Sequence, residues 1–252
     1  MERPSAMMHD IPNKAKLFIL MVVVAAAAVS LRVMLDTHPW HHQQFFTLLV
    51  ISLLASRLKM KLPGLNGNMS MNLPFILIAQ VQLSPREAFL VACASTLVQC
   101  LPATRSRLNA IQVLFNIATM AVAVEAGRMV FHNGQHFTLI FSEAFVVALA
   151  ALAFLLANTL PVAGVISLSE RVRMMKTWSQ ILHLSFPYYV ASAGITSVIS
   201  AASHYFAWYV PLLVLAVAYG MYRSFQRYFT GMELMPRLRT AMAAETYSIN
   251  IC

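Results

Sequence analysis

Charged residues are scarce in this chain, and their scarcity excludes an ordinary soluble domain. Only 11% of the 252 residues are charged, whereas a soluble domain typically carries about 25%. Hydrophobic residues make up 59%, and the mean hydropathy is +0.68. Because the apolar residues come in long blocks, the composition predicts an all-α protein, a polytopic bundle of transmembrane helices.

Cysteine is also rare, and common catalytic motifs are missing. The three cysteines, Cys93, Cys100 and Cys252, give no disulfide framework. Cys93 and Cys100 would lie about 10 Å apart on one helix, beyond disulfide reach. The sequence contains no phosphate-binding glycine loop and no GxSxG, HExxH or CxxC motif. We therefore expect neither an enzyme nor a cofactor.

Acidic residues are half as frequent as basic ones, 9 against 18. In a soluble protein this excess would suggest nucleic acid, but here the basic residues fall between the apolar blocks, so membrane topology explains them better and we expect no nucleic-acid partner. With both termini in the cytoplasm, Arg86 is the one basic residue in the predicted outer loops. The predicted inner loops hold Arg57, Lys59, Lys61, Arg105, Arg107, Arg171, Arg173 and Lys176.

The apolar blocks divide the chain into three parts. We expect a cytoplasmic lead over residues 1–16, a transmembrane domain over 17–222 and a basic amphipathic tail over 223–252. The first block lacks a clear cleavage site, so we interpret it as a true helix and not a removed signal peptide. The predicted helices cover about 17–35, 45–58, 73–83, 88–101, 109–131, 139–168, 181–202 and 207–222.

The number of crossings stays open between six and eight. Residues 73–83 are too few to cross a ~30 Å hydrocarbon core. They therefore belong either to a short span or to a re-entrant hairpin between Arg57 and Arg107. Both alternatives place the two termini on the cytoplasmic side.

Charged residues inside or near the predicted spans are the first candidates for a ligand pocket. Glu125 and Arg128 are three residues apart on one helix and can pair, and Glu143 lies at similar depth on the next helix. Asn116 belongs to a polar stripe with Asn109, Gln112 and Thr119. Two interpretations stand for these residues: structural polar contacts between helices, or the wall of a pocket for a ligand or ion.

Histidine is concentrated on the predicted outer side. Of eight histidines, six fall there: His38, His41, His42, His132, His136 and His204. His38 and His42 are four residues apart, so one helical turn could direct both at a metal ion, but Asp36 is the one carboxylate beside them. They are weak metal candidates, because polar loops that exclude lysine and arginine also favour histidine.

Small residues recur at four-residue spacing on two predicted helices. Ala144 and Ala148 form one such row, and Ala193, Ser197 and Ala201 form the other. Rows of this kind let helices in a membrane approach one another closely.

Three segments carry a resemblance to a known family: KLPGLNGNMSMNLPFILIAQVQLSPREAFLVACAST, LFNIATMAVAVEAGRMVF and AFLLANTL. They resemble the membrane region that precedes HD-type phosphohydrolase and GGDEF cyclase domains in bacteria, and the layout matches over about 17–227. In that family the last span leads through a basic helix into a cytoplasmic enzyme. Because this sequence ends at Cys252, we expect the output domain to be missing from it. In layout alone the chain is also similar to the substrate-binding subunits of energy-coupling-factor vitamin transporters.

These observations predict a non-enzymatic, sensor-like or scaffold module of the bacterial inner membrane. It would have an outer-side polar pocket and the lipid bilayer as its surroundings. Residues 223–252 would contact a cytoplasmic signalling protein or coupling subunit, or lie on anionic lipid. The alternative is the substrate-binding membrane subunit of a small-molecule transporter of the vitamin type, because short spans interrupted by proline or glycine often mark a transport site.

Overall fold

A computed structural model describes residues 12–61, 68–101, 110–137, 142–202, 214–228 and 230–231. Helices dominate these residues: α1 Asn13–Met34, α2 His42–Ala55, α3 Leu73–Gln82, α4 Pro85–Cys100, α5 Ala110–Gly134, α6 Glu143–Glu170 and α7 Met174–Ala202. Residues 214–228 are also helical, and a short 3₁₀ turn, Gln135–Phe137, follows α5.

The prediction of a helical bundle with apolar spans is confirmed. Within the described ranges, α1, α5 and α6 are long and apolar enough to cross a membrane by length and composition. The helices α2 and α3 are apolar but shorter. At 1.5 Å per residue, the ten residues of α3 extend only about 15 Å. The expectation that 73–83 form a short segment is therefore met.

The all-α prediction missed a small β ribbon. Strands β1, Lys59–Lys61, and β2, Asn68–Ser70, pair antiparallel, with Met60 opposite Met69. Residues 62–67, the predicted Pro-Gly loop, lie outside the described residues. Three-residue strands are too short to give the alternating pattern by which a strand is recognised in a sequence.

The helix boundaries differ from the predicted ones at several ends. Helix α7 starts at Met174, so Lys176 belongs to the helix and not to a loop. Helix α4 starts at Pro85 because Ser84 and Glu87 form a capping box, in which each side chain bonds the other residue's backbone N–H. Prolines lie inside α6, at Pro161, and inside α7, at Pro187.

A tyrosine from α7 holds the start of α3. The Leu73 N–H donates to the Tyr188 hydroxyl (3.1 Å), which donates to the Ser70 carbonyl (3.1 Å). Beside it, Asn72 accepts a hydrogen bond from the Ser70 hydroxyl and donates one to Ser95 of α4. Non-helical backbone inside a membrane bundle needs such partners, because lipid supplies none. The ribbon and the start of α3 are thus fixed from two helices.

The relative directions of α1, α5 and α6 follow from contacts between them. Phe18, near the start of α1, lies against Gly164 in the second half of α6. Arg32, in the last turn of α1, reaches Glu125 in the second half of α5. Helix α5 therefore runs parallel to α1, while α6 runs antiparallel to both. This arrangement brings the end of α1, the α3–α4 turn and the second half of α5 to the same end of the bundle.

Candidate functional site

Glu125 is a buried carboxylate on α5 with an arginine partner on the same helix. The Arg128 Nε donates to Oε2 of Glu125 at 2.7 Å, and Nη2 donates to Oε1 at 2.6 Å. The Glu125 side chain is only 4% exposed, and that of Arg128 is 21% exposed. The contact expected from their spacing is present, and its fork geometry is the stronger form of an arginine–carboxylate interaction.

A second arginine, which the sequence analysis overlooked, reaches the same carboxylate from α1. Nη1 of Arg32 lies 3.9 Å from Oε1 of Glu125, and the Arg32 side chain is 63% exposed. The same nitrogen lies 4.0 Å from the sulfur of Met129. An arginine within an apolar span normally has a partner, and this rule could have drawn attention to Arg32.

Helix α3 contributes a buried amide beside this charge group. Gln80 is buried, and its Nε2 donates to the carbonyl of Val124 at 2.5 Å. Its Oε1 is buried and has no hydrogen-bond partner among the described residues. Gly127 makes room for Gln80, since a Cβ at this position would lie 2.8 Å from Nε2 and 3.1 Å from the Ala150 carbonyl oxygen.

The α3–α4 turn carries a second buried carboxylate, Glu87, which is fully buried. Its Oε2 accepts hydrogen bonds from the Ser84 N–H (3.0 Å) and hydroxyl (2.6 Å). Its Oε1 accepts one from the His41 N–H (2.6 Å), and the His41 Nδ1 lies 3.4 Å from Oε2. Glu87 thereby ties the segment between α1 and α2 to the start of α4.

Asp36 lies within electrostatic range of the arginine next to Glu87 in the chain and of the arginine that pairs with Glu125. It is hydrogen-bonded to Nδ1 of His38 and interacts with the charges of Arg86 and Arg128. Burial raises the pKa of Asp36, but the hydrogen bond and charge of His38, with a smaller contribution from Arg86, bring that pKa below its ordinary value. Oδ2 of Asp36 and Nε of Arg86 are both buried without a hydrogen-bond partner in the described part of the chain.

We call these residues the charged cluster: Arg32, Asp36, Arg86, Glu87, Glu125 and Arg128. Three arginines balance three carboxylates in it, so its formal charges cancel. An unpartnered donor on Arg86 and an unpartnered acceptor on Asp36 suit a polar ligand that can both accept and donate hydrogen bonds. The Ser84 hydroxyl donates a hydrogen bond to Glu87 and is buried at the N-cap of α4.

Two of the predicted pocket residues lie elsewhere. Glu143 is the first residue of α6, and its Oε1 accepts a hydrogen bond from Ser200 of α7. Asn116 donates to the sulfur of Cys100 at 3.4 Å, an interhelical contact between α5 and α4. It lies nine residues from Glu125, about 13.5 Å along the helix. Glu125 and Arg128 are thus brought together, while Glu143 and Asn116 have other partners.

The two histidines considered as metal ligands have different partners. His38 bonds Asp36, whereas His42 stacks with Trp40 at 6.1 Å between ring centroids. The described residues contain no group of three or more His, Cys, Asp or Glu side chains placed to hold a metal ion. Asn109, the first residue of the polar stripe, falls outside the described residues.

Comparison with protein families gives a match that covers most of the chain. The family model MASE9 matches residues 6–229. The chain belongs to the MASE9 family. This is a family of membrane-associated sensory domains, in agreement with the apolar helices. Among the described residues of this MASE9 chain, the matched range contains helices α1 to α7 and the helix at 214–228. No curated protein and no solved structure gave a significant match.

Proposed function

We propose that this MASE9 chain is a non-enzymatic sensor module that crosses the bacterial inner membrane several times and binds a polar ligand at the charged cluster. One observation carries the proposal: arginines from α1 and α5 converge on the buried Glu125. Ionisable groups inside a membrane domain cost free energy and commonly mark a functional site. The unpartnered atoms of Asp36 and Arg86 support a ligand at this position.

The proposed topology has eight crossings with both termini in the cytoplasm, the β ribbon and α3 together forming one crossing. The parallel α1 and α5 and the antiparallel α6 support it, and so does the basic inner-loop pattern. Cysteine labelling in a chain without native cysteines tests it. An impermeant maleimide added outside should label Gln82→Cys, at the end of α3, and should reach Arg171→Cys only after permeabilisation. Labelling of Arg171→Cys from outside would contradict this topology.

A contact between α7 and the last described helix supports coupling to the tail. The ring of Phe225 lies edge-on to Tyr188, with 6.2 Å between centroids. Tyr188 holds the start of α3, and α3 carries Gln80 beside Glu125. We propose that a shift of α3 on ligand binding moves the helix at 214–228. Residues 223–252 would then transmit this movement to a cytoplasmic signalling partner.

A fusion protein tests the sensor role. The chain is joined ahead of a GGDEF cyclase in a bacterium, and cyclic-di-GMP is measured. Glu125→Gln should change the output by about fivefold or more, as expected for loss of a coupled site. Glu170→Gln is the matched control, because it removes an exposed carboxylate at the end of α6, outside the cluster. Equal output from native and Glu125→Gln fusions at equal membrane levels would argue against the proposal.

Deletion of the residues after Arg223 tests the partner role separately. The shortened chain should still insert in the membrane but should no longer retain cytoplasmic proteins that co-purify with the full chain. Unchanged co-purification would exclude the tail as the coupling element.

A transporter subunit is the second candidate function, and the shape of α3 favours it. This helix is short and largely buried, and it follows non-helical backbone within the bundle, as transport sites often do. A water-soluble molecule released in one-to-one amount when the purified protein is denatured would support a substrate-binding subunit. If protein that was purified without extensive washing releases no such molecule, the result would argue against a substrate-binding subunit.

A further inference from the structure

A groove between α6 and α7 lies apart from the charged cluster. It holds a cavity of about 310 Å³, lined almost entirely by apolar side chains. Its floor contains the buried residues Ala151, Leu155 and Ala193, while Phe186 and Val190 at its rim are half exposed. Within the described residues, the groove is therefore open to the surroundings of the bundle along one side.

Small residues create this space. Ala144 and Ala148, which form the small-residue row of α6, are exposed and line the groove. Gly194 faces them from α7, and a Cβ built there would meet no atom within 4 Å. From Ala144 to Leu155 the groove follows eleven residues of α6, about 16 Å.

One end of the groove is polar. Ser200 donates to Oε1 of Glu143 at 2.5 Å, next to Ala144 and one turn beyond Ser197. Glu143 is exposed, and its Oε2 has no hydrogen-bond partner among the described residues. The mouth of the groove thus presents a carboxyl oxygen that can accept a hydrogen bond, and a negative charge when it is ionised.

We propose that this groove binds a single-chain amphiphile whose head group donates hydrogen bonds and carries no negative charge, such as a long-chain monoacylglycerol. The cavity volume lies at the lower end of the range of about 300–1,000 Å³ for ligand sites. A hydroxylated head group fits the acceptor at Glu143, whereas an anionic head group would be repelled. A second copy of the chain fits less well, because a stable dimer needs about 800 Å² per partner, whereas the groove is a cavity of about 310 Å³ that extends only about 16 Å along α6.

Photolabelling tests the proposal. The full chain is placed in phosphatidylcholine nanodiscs with a monoacylglycerol that carries a diazirine in its acyl chain, and labelled peptides are identified by mass spectrometry. Labelling of α6 and α7 should be saturable. Gly194→Leu, which fills the groove, should reduce it about tenfold, equal to 1.4 kcal/mol of binding free energy. Gly220→Leu is the matched control, since a Cβ there also meets nothing within 4 Å, and its labelling should not change.

Competition tests the role of Glu143. A fatty acid of the same chain length should compete about tenfold more weakly than unlabelled monoacylglycerol in the native protein. Glu143→Gln should remove most of that difference. If Gly194→Leu does not fold by circular dichroism, Ala148→Leu fills the same groove from the opposite wall.

Four results would each overturn the proposal. The first is unsaturable labelling spread over all lipid-facing helices, which would mean bulk lipid only. The second is unchanged labelling in the variants that fill the groove. The third is equal competition by the fatty acid and the monoacylglycerol. The fourth is crosslinks between two chains at the groove that disappear in Gly194→Leu, which would identify a second copy as the occupant.

Discussion

Replacement of Glu125 should destabilise the bundle in a graded way. Glu125→Ala leaves the guanidinium of Arg128 without the two hydrogen bonds that it donates at 2.7 and 2.6 Å. Removal of one partner of a buried ion pair costs about 3–5 kcal/mol. Because the Arg128 side chain keeps 21% exposure, we expect the lower end, about 3 kcal/mol.

Two further variants should lose less stability than Glu125→Ala. Glu125→Gln keeps the shape and one carbonyl acceptor but loses the charge, so it should cost about half as much, ~1.5 kcal/mol. Arg32→Gln removes a single 3.9 Å contact of a side chain that is 63% exposed. It should cost less than about 1 kcal/mol, as exposed ion pairs do.

The free energy of unfolding can be measured by titrating the protein from mild detergent micelles into sodium dodecyl sulfate, with helicity followed by circular dichroism. The expected order of loss is Glu125→Ala, then Glu125→Gln, then Arg32→Gln. If Arg32→Gln cost as much as Glu125→Ala, Arg32 would be the principal partner of Glu125. If all three variants unfolded like the native chain, the pair would contribute nothing to the fold.

Three further predictions concern neighbouring features. Gly127→Ala should cost about 1–3 kcal/mol in the same assay, because it overpacks a filled site, whereas Gly194→Ala should cost nothing. Tyr188→Phe leaves the Leu73 N–H unpaired and should cost about 1–3 kcal/mol, with faster hydrogen exchange of that amide. Because its pKa is lowered in the fold, ionised Asp36 stabilises the protein above its ordinary pKa near 3.8, and this contribution is lost as the pH falls through the lowered value. The stability difference between native and Asp36→Asn protein should therefore shrink as the pH falls from about 5 to below about 4.

The charged cluster shows how far sequence reasoning reached. The spacing of Glu125 and Arg128 was enough to predict their contact, because residues three apart on a helix are neighbours. Arg32 and Gln80 were not predicted, since they come from α1 and α3 and meet α5 only through helix packing. Glu143 was grouped with Glu125 by depth alone, and its partner is Ser200 on α7.

The small-residue rows show a similar limit. Their spacing placed Ala144 and Ala148 on one face of α6, but it could not say whether another helix covers that face. Ala193 is buried at the floor of the groove, whereas Ala144 and Ala148 are exposed along it. The β ribbon was missed for another reason: strands of three residues are too short to show an alternating pattern.

The sequence by itself determined the helical membrane class, the approximate helix positions and the contact between Glu125 and Arg128. Each of these follows from local composition or from spacing along one helix. The tertiary structure decided which helices share a charge, how Tyr188 holds the start of α3, and where a groove stays open. These depend on packing between segments far apart in the chain, and hydrophobic periodicity specifies which residues are apolar without specifying which helix they face.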